Sequence, residues 1–169
     1  AQTLASSERS HAVTFVGGLS PSHKERQSFM ASLAKLVPLE CWGYGVDSLR
    51  ASGVEQTRLH DEVWGTDMFS TLSRSRITVN HHIDVAQTYA NNMRLFEATG
   101  CGALLVTDYK DNLSDLFIIG EEVIAYRSLD ECAALVRYYI AHPEEARRIA
   151  DRGQARTFRD HTYAKRMAQ

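Results

Sequence analysis

The chain has 169 residues, 44% of them hydrophobic and 24% charged, the balance of one globular domain with a single sizeable core. A formal net charge of −2, with the basic residues scattered, gives no electrostatic basis for binding nucleic acid or an anionic membrane surface. No apolar run approaches the ~20 residues of a transmembrane helix, and three distant cysteines (Cys41, Cys101, Cys132) suggest neither a disulfide framework nor a zinc site, so reduced thiols in a cytoplasmic protein are expected.

Residues 1–10 lack an apolar signal region and an initiator methionine, and read as a linker or cut edge entering a single domain over 11–169. His11–Val16 is a buried-strand candidate that runs into Gly17-Gly18. Ser20 is placed to cap a helix whose first position is Pro21. Phe29, Leu33 and Leu36 follow the rhythm of a core face, and His23 and Arg26 continue that stripe back to the first turn. A charged side chain there, beside the carboxyl end of a strand, can meet an anion. Gly17-Gly18 is not a full G-x-G-x-x-G fingerprint, so the turn reads equally as a phosphate cradle or as a tight turn needing glycine backbone freedom.

Residues 39–44 form a second strand ended by Gly45, and 47–61 is poorly periodic. Thr66 can cap a helix that turns Met68, Phe69 and Leu72 inward. Residues 77–80 are a short, β-branched strand that delivers Asn80-His81-His82 to a loop. Adjacent histidines point apart on an extended chain and no acidic or thiol partner sits at ligand spacing, so no metal is expected. A histidine here either donates to a phosphate or sugar hydroxyl, or lies on a surface loop.

Residues 89–99 read as a helix stopped by Gly100 and Gly102, followed by a buried strand over 103–106. On a helical wheel Tyr89, Met93 and Phe96 share one apolar stripe, and Ala90, Arg94, Glu97 and Cys101 share a second. Arg94 and Glu97 are either an intrahelical ion pair or two groups facing a polar ligand. Asp108 and Asp111 form a nominal carboxylate pair read as solvated surface, and 113–117 is a short amphipathic turn before a strand over 123–126. Ser128 and Glu131 make a capping box that opens a helix through Ile140. Pro143 starts another helix with Gly153 beyond its end, and 154–169 is a helical tail with Phe158, Tyr163 and Met167 as apolar contacts. Alternating short strands and helices imply a parallel sheet covered on both faces, with ligands bound at the carboxyl ends of its strands. Gly17, Asn80 and Asp108 each follow a strand at that edge.

The stretch Asn92-Met-Arg-Leu-Phe-Glu-Ala-Thr-Gly-Cys-Gly-Ala-Leu-Leu-Val-Thr-Asp108 resembles the signature of the spore-maturation-type branch of GT-B glycosyltransferases. Residues 117–123, 142–150 and 153–163 echo the same family. The resemblance implies an α/β, Rossmann-like three-layer domain with a parallel sheet, the C-terminal half of a GT-B fold. It implies a nucleotide-diphosphate sugar as substrate, no metal or other cofactor, and an N-terminal acceptor-binding domain in the same polypeptide. Glu97 would accept hydrogen bonds from the ribose hydroxyls. Arg94 would neutralise the diphosphate and carry the catalytic role, with Gly17, Gly18, Arg26, Asn80, His82, Asn92 and Met93 completing the donor site. Tyr89 stands where many retaining members carry an earlier glutamate, a departure that leaves a second carboxylate role unsupported. Alternatives are a noncatalytic nucleotide- or partner-binding domain of the same fold and one half of a sugar-nucleotide epimerase. As an isolated domain it is expected to show little or no turnover.

Overall fold

The computed structural model describes residues 9–20, 23–83, 87–90 and 92–167. The expectations for residues 1–8 and for Pro21 as the first helical residue lie outside them. Six short strands form one sheet: β1 (His11–Val16), β2 (Leu39–Trp42), β3 (Leu59–His60), β4 (Ser75–Asn80), β5 (Leu104–Asp108) and β6 (Ile124–Tyr126). All pair in parallel, in the order β3-β2-β1-β4-β5-β6. The register sets Val13 beside Leu39 and Ile77, and Val79 beside Val106.

Most strand residues, polar ones such as Thr14 and Thr78 included, are buried because helices cover both faces. On one face α1 (Lys24–Leu36) and α5 (Leu129–Ala141) bury Met30, Leu33, Cys132 and Val136 against Val13, Leu39, Ile77 and Leu104. On the other, α2 (Gly65–Ser73), α3 (Arg94–Gly100) and α4 (Leu113–Leu116) bury Met68, Leu72, Leu95, Ala98 and Leu113 against Val16, Trp42 and Leu105. Helix α6 (Pro143–Asp160) packs on α3, α5 and β5, and α7 (Tyr163–Met167) follows it. This is the three-layer, Rossmann-like α/β domain expected. No described helix is long and apolar enough to cross a membrane.

Several local expectations shift. Helix α1 begins at Lys24 with His23 at its N-cap and no side-chain cap, so Ser20 does not cap it; the Ser20 carbonyl instead accepts from the His23 N–H (2.8 Å). Its inward face is Met30, Ala31, Leu33 and Ala34, while Leu36 is exposed. The free carbonyls at its end accept from two distant guanidinium groups, Arg58 onto Ala34 (2.9 Å) and Arg137 onto Leu36 (2.9 Å). The stretch after β2 contains two 3-10 turns, Val46–Ser52 and Gln56–Arg58, and then β3, an edge strand too short to show alternation. Helix α2 starts at Gly65 after Trp64 rather than behind a Thr66 cap, and Phe69 faces outward while Met68 and Leu72 are buried. The capping box at α5 holds: the Ser128 hydroxyl accepts from the Glu131 N–H (3.2 Å), although the Glu131 carboxylate reaches the Arg127 N–H (2.7 Å) rather than that of Ser128.

The largest difference lies in α6. Gly153 does not end it; the helix continues to Asp160. A Cβ at Gly153 would stand 2.3 Å from the Glu122 carbonyl oxygen, so this glycine is there for close approach of the turn before β6. Its buried stripe is Ala146, Ile149, Ala150, Gly153 and Thr157, and Thr157 meets Thr99 of α3 hydroxyl to hydroxyl (2.6 Å). Phe158 is one residue off that stripe and is exposed, as are Tyr163 and Met167, contrary to the contacts expected of them. Gly153→Ala is therefore expected to destabilise the domain by roughly 1–3 kcal/mol, the usual range for overpacking, seen as a thermal midpoint lowered by several degrees. An unchanged midpoint would mean that α6 and the turn at Glu122 separate freely.

Candidate functional site

Strands β1 and β4 are neighbours, yet the chain leaves β1 toward α1 on one face and β4 toward α3 on the other. A crevice opens where the strand order reverses, outside the carboxyl ends of these two strands. The cleft there has a volume of about 1770 Å³ and runs along α3. It is wider than the roughly 300–1,000 Å³ of a fitted small-molecule pocket, so one ligand fills only part of it. Every residue expected at the donor site lines this cleft: Gly17 and Gly18 after β1, Arg26 on α1, Asn80 and His82 after β4, Asn92 and Met93 before α3, and Arg94 and Glu97 on α3.

Arg94 Nη1 lies 2.8 Å from Glu97 Oε2 and donates also to Met68 Sδ (2.9 Å). Each side chain of the pair keeps 18% of its surface. The two sequence readings coincide: the groups pair with each other and also face the cleft. Burial pulls the Arg94 pKa down, and the neighbouring Glu97 carboxylate opposes it.

Helix α3 begins at Arg94, not at residue 89. Asn112 explains the late start. Its side-chain carbonyl accepts from the Ala90 N–H (2.6 Å) and its amide donates to the Ala90 carbonyl (2.9 Å). The Asp111 N–H also donates to the Thr88 carbonyl (2.8 Å). These bonds tie Ala90 to the loop after β5 rather than to the start of α3. Tyr89 and Met93 are exposed, and the buried stripe of the helix is Leu95, Ala98 and Thr99.

The turn after β1 is laid against the turn after β2. The Gly17 N–H donates to Trp42 (2.9 Å) and the Leu19 N–H to Tyr44 (2.7 Å). Gly43 and Gly45 permit this contact: both have positive φ, and a Cβ on either would lie 2.3 or 2.4 Å from the carbonyl oxygen of Gly17 or Leu19. Neither Gly17 nor Gly18 is left-handed, so backbone freedom does not explain them. A Cβ on Gly18 would meet no neighbouring atom of the described residues. Arg26 Nη1 donates to the Gly18 carbonyl (3.3 Å), which keeps its guanidinium at the turn.

Asp108 corrects the sequence reading most. It is buried at the end of β5 rather than solvated. Its Oδ1 accepts from His82 Nδ1 (2.7 Å) and from the His82 backbone N–H (2.9 Å), and its Oδ2 pairs with Lys110 Nζ (3.2 Å). Burial alone would raise this carboxyl; the hydrogen bonds from His82 outweigh it and hold the pKa at about 2. His82 is only 3% exposed, so it is not a surface-loop histidine. His81 points the other way: it stacks on Phe29 (4.3 Å between centroids), lies 2.9 Å from the Tyr126 hydroxyl, and is pushed toward neutrality by burial. Asp108 shared the carboxyl edge with Gly17 and Asn80, which was its one signal in the sequence. Among the described residues no group of three or more His, Cys, Asp or Glu side chains is placed to hold a metal ion. Cys41 and Cys132 are buried, with thiols pushed up to about 12 by desolvation.

A sequence profile described as glycosyl transferase-like matches residues 24–169, which places the chain in that family. No curated protein sequence matches it. Among solved structures, HepE from Anabaena in complex with UDP-glucose is similar, with TM-score 0.69 and 18% identity over 87% of this chain and 43% of that one. Sucrose-phosphate synthase from Thermosynechococcus elongatus gives TM-score 0.65 and 15% identity over 87% of this chain and 40% of that one. The C-terminal domain of a glycosyl transferase group 1 family protein from Francisella tularensis gives TM-score 0.63 and 11% identity over 89% of this chain and 86% of that one. The chain thus spans less than half of HepE and of the synthase, and the shared part has the same α/β fold.

The depressed Asp108 pKa makes a pH-dependent contribution to stability. A carboxyl with a folded pKa near 2 and an unfolded one near 3.8 stabilises the fold above the unfolded value. That contribution is lost as pH falls from about 4 through 2, and is on the order of 2 kcal/mol. Asp108→Asn should lower stability at neutral pH and flatten the acid limb of a stability–pH curve. A variant whose acid limb stays as steep as that of the parent would contradict this assignment.

Proposed function

We propose a function for this chain from one premise: it belongs to the glycosyl transferase-like family. It is the donor-binding domain of a glycosyltransferase, holding a nucleoside diphosphate sugar in the cleft between the carboxyl ends of β1 and β4. The observation that carries this reading is the Arg94–Glu97 pair, partly buried and lining that cleft at the start of α3. Cation and carboxylate suit the two ends of a nucleoside diphosphate. The carboxylate accepts from adjacent ribose hydroxyls in charge-assisted bonds, and the guanidinium meets a diphosphate oxygen. The sugar–oxygen bond breaks as negative charge builds on the departing diphosphate, so a fixed cation there lowers the barrier. Arg94 takes that role. Arg26 and the open turn at Gly18 are placed to receive the remaining phosphate oxygens.

UDP-glucose is the first donor to test, since HepE has been crystallised with it. With Arg94 meeting the leaving-group charge, no metal is needed. The breadth of the cleft and the exposed Trp64, Phe69 and Phe158 along it fit a second, acceptor-binding domain closing over the donor, in keeping with a chain that spans 43% of HepE. Alone, the domain binds donor and turns it over slowly or not at all. Free thiols at Cys41, Cys101 and Cys132 fit a cytoplasmic setting.

Calorimetric titration with uridine, guanosine and thymidine diphosphate sugars tests the reading: one of them should bind. Glu97→Ala should then weaken that binding by about tenfold or more, as for loss of a charged hydrogen-bond pair, with the domain still folded. Equal affinity in the variant would remove Glu97 from the site. Titration in excess EDTA should give the same affinity as titration without it; loss of binding would contradict a metal-free site.

A further inference from the structure

The polar groups between β4, β5 and the loop before α3 form two branches that meet at Asp108. In the first, His82 Nδ1 lies 2.7 Å from Asp108 Oδ1. The Asp108 carboxylate can only accept, so an imidazole hydrogen is on Nδ1, and in the neutral ring Nε2 carries the lone pair. The 3.4 Å approach of Asn80 Nδ2 to the same Nδ1 then sets two donors side by side and is not a hydrogen bond. In the second branch, the Thr107 hydroxyl donates to Asp108 Oδ1 (3.3 Å) and accepts from Asn80 Nδ2 (2.9 Å). Asn80 Oδ1 accordingly accepts from Asn92 Nδ2 (2.9 Å), which leaves Asn92 Oδ1 as the end of the chain.

Both ends lack a partner. His82 Nε2 and Asn92 Oδ1 are buried atoms with no hydrogen bond among the described residues, and both residues line the cleft. Buried acceptors are seldom left unpaired in a native structure. Each calls for a donor, and a phosphate oxygen is not one. We propose that Asp108 is a positioning residue: its carboxylate sets the polarity of both branches, so that His82 Nε2 and Asn92 Oδ1 together accept hydrogen bonds from hydroxyl groups of the ligand and not from its phosphates. The proposal rests on the nucleotide-sugar reading only for the name of the ligand. It reverses the sequence expectation for His82, which had the imidazole donating. The phosphates fall to Arg94, Arg26 and the Gly18 turn, and the donor hydroxyls that Glu97 leaves unbonded fall to the β4–β5 edge.

The imidazole-nitrogen NMR spectrum of His82 tests this in the whole chain. The free protein should show the Nδ1-protonated tautomer. Saturation with UDP-glucose should move the Nε2 resonance upfield, as for an acceptor gaining a donor, and inorganic pyrophosphate should leave it in place. Movement with UDP alone identifies the ribose hydroxyls as the source; movement only with UDP-glucose identifies the transferred sugar. Asp108→Asn should mix the tautomers and abolish the shift, a signature that loss of packing alone would not give. A hydrogen on Nε2 in the parent protein, as the other tautomer or as the imidazolium, would overturn the proposal. So would a pyrophosphate shift as large as that from UDP-glucose, or no shift at saturation with UDP-glucose. If neither nucleotide binds, glucose is titrated alone: an Nε2 shift sustains the acceptor pair while removing the nucleotide reading, and no shift removes both.

Discussion

The parting of β1 and β4 governs this molecule. Two adjacent parallel strands carry Val13 and Ile77 side by side, and beyond their carboxyl ends the chain goes to opposite faces of the sheet. Among the described residues no side chain from either layer fills the space between the two exits, so a crevice persists at the edge of an otherwise close-packed domain. Everything assigned to ligand binding depends on that crevice. The glycines at 43 and 45 shape one wall by letting the β2 turn lie against the β1 turn. Asn112 shapes the other by holding Ala90 out of the helix, so that α3 starts with Arg94 at the rim.

Charge and hydrogen-bond polarity divide the crevice. Around α3 and the Gly18 turn lie guanidinium groups and open backbone; at the β4–β5 edge lie buried acceptors whose direction is fixed by Asp108. A nucleoside diphosphate sugar has the same division, anionic in the middle and hydroxylated toward its ends. The Arg94–Glu97 ion pair, 2.8 Å long, orders both groups beside the cleft before any ligand arrives, which lowers the ordering cost of binding.

Much of this was legible in the residues. The short strand candidates at His11–Val16, 77–80 and 103–106, alternating with helical patterns, pointed to the parallel sheet, because parallel strands need crossover helices between them. The family resemblance of residues 92–108 brought Arg94 and Glu97 to the same place as the glycine turn. The failures have a common cause: a partner distant in sequence overrode a local pattern. Gly153 has the position of a helix stop, but the approach of the Glu122 carbonyl makes it an interior residue. Tyr89 and Met93 have helical spacing from Phe96, but Asn112 ties Ala90 to the loop after β5. Asp108 stands among acidic and polar neighbours like any surface turn, and only its contacts with His82, 26 positions earlier, make it a buried hub.

Amide chemical-shift mapping of the domain on titration with UDP-glucose tests the central claim most directly. The account predicts saturable shifts concentrated at Gly17, Gly18, His82, Arg94 and Glu97, around the carboxyl ends of β1 and β4. Shifts confined to residues away from that rim, or none at ligand concentrations that saturate related domains, would contradict it.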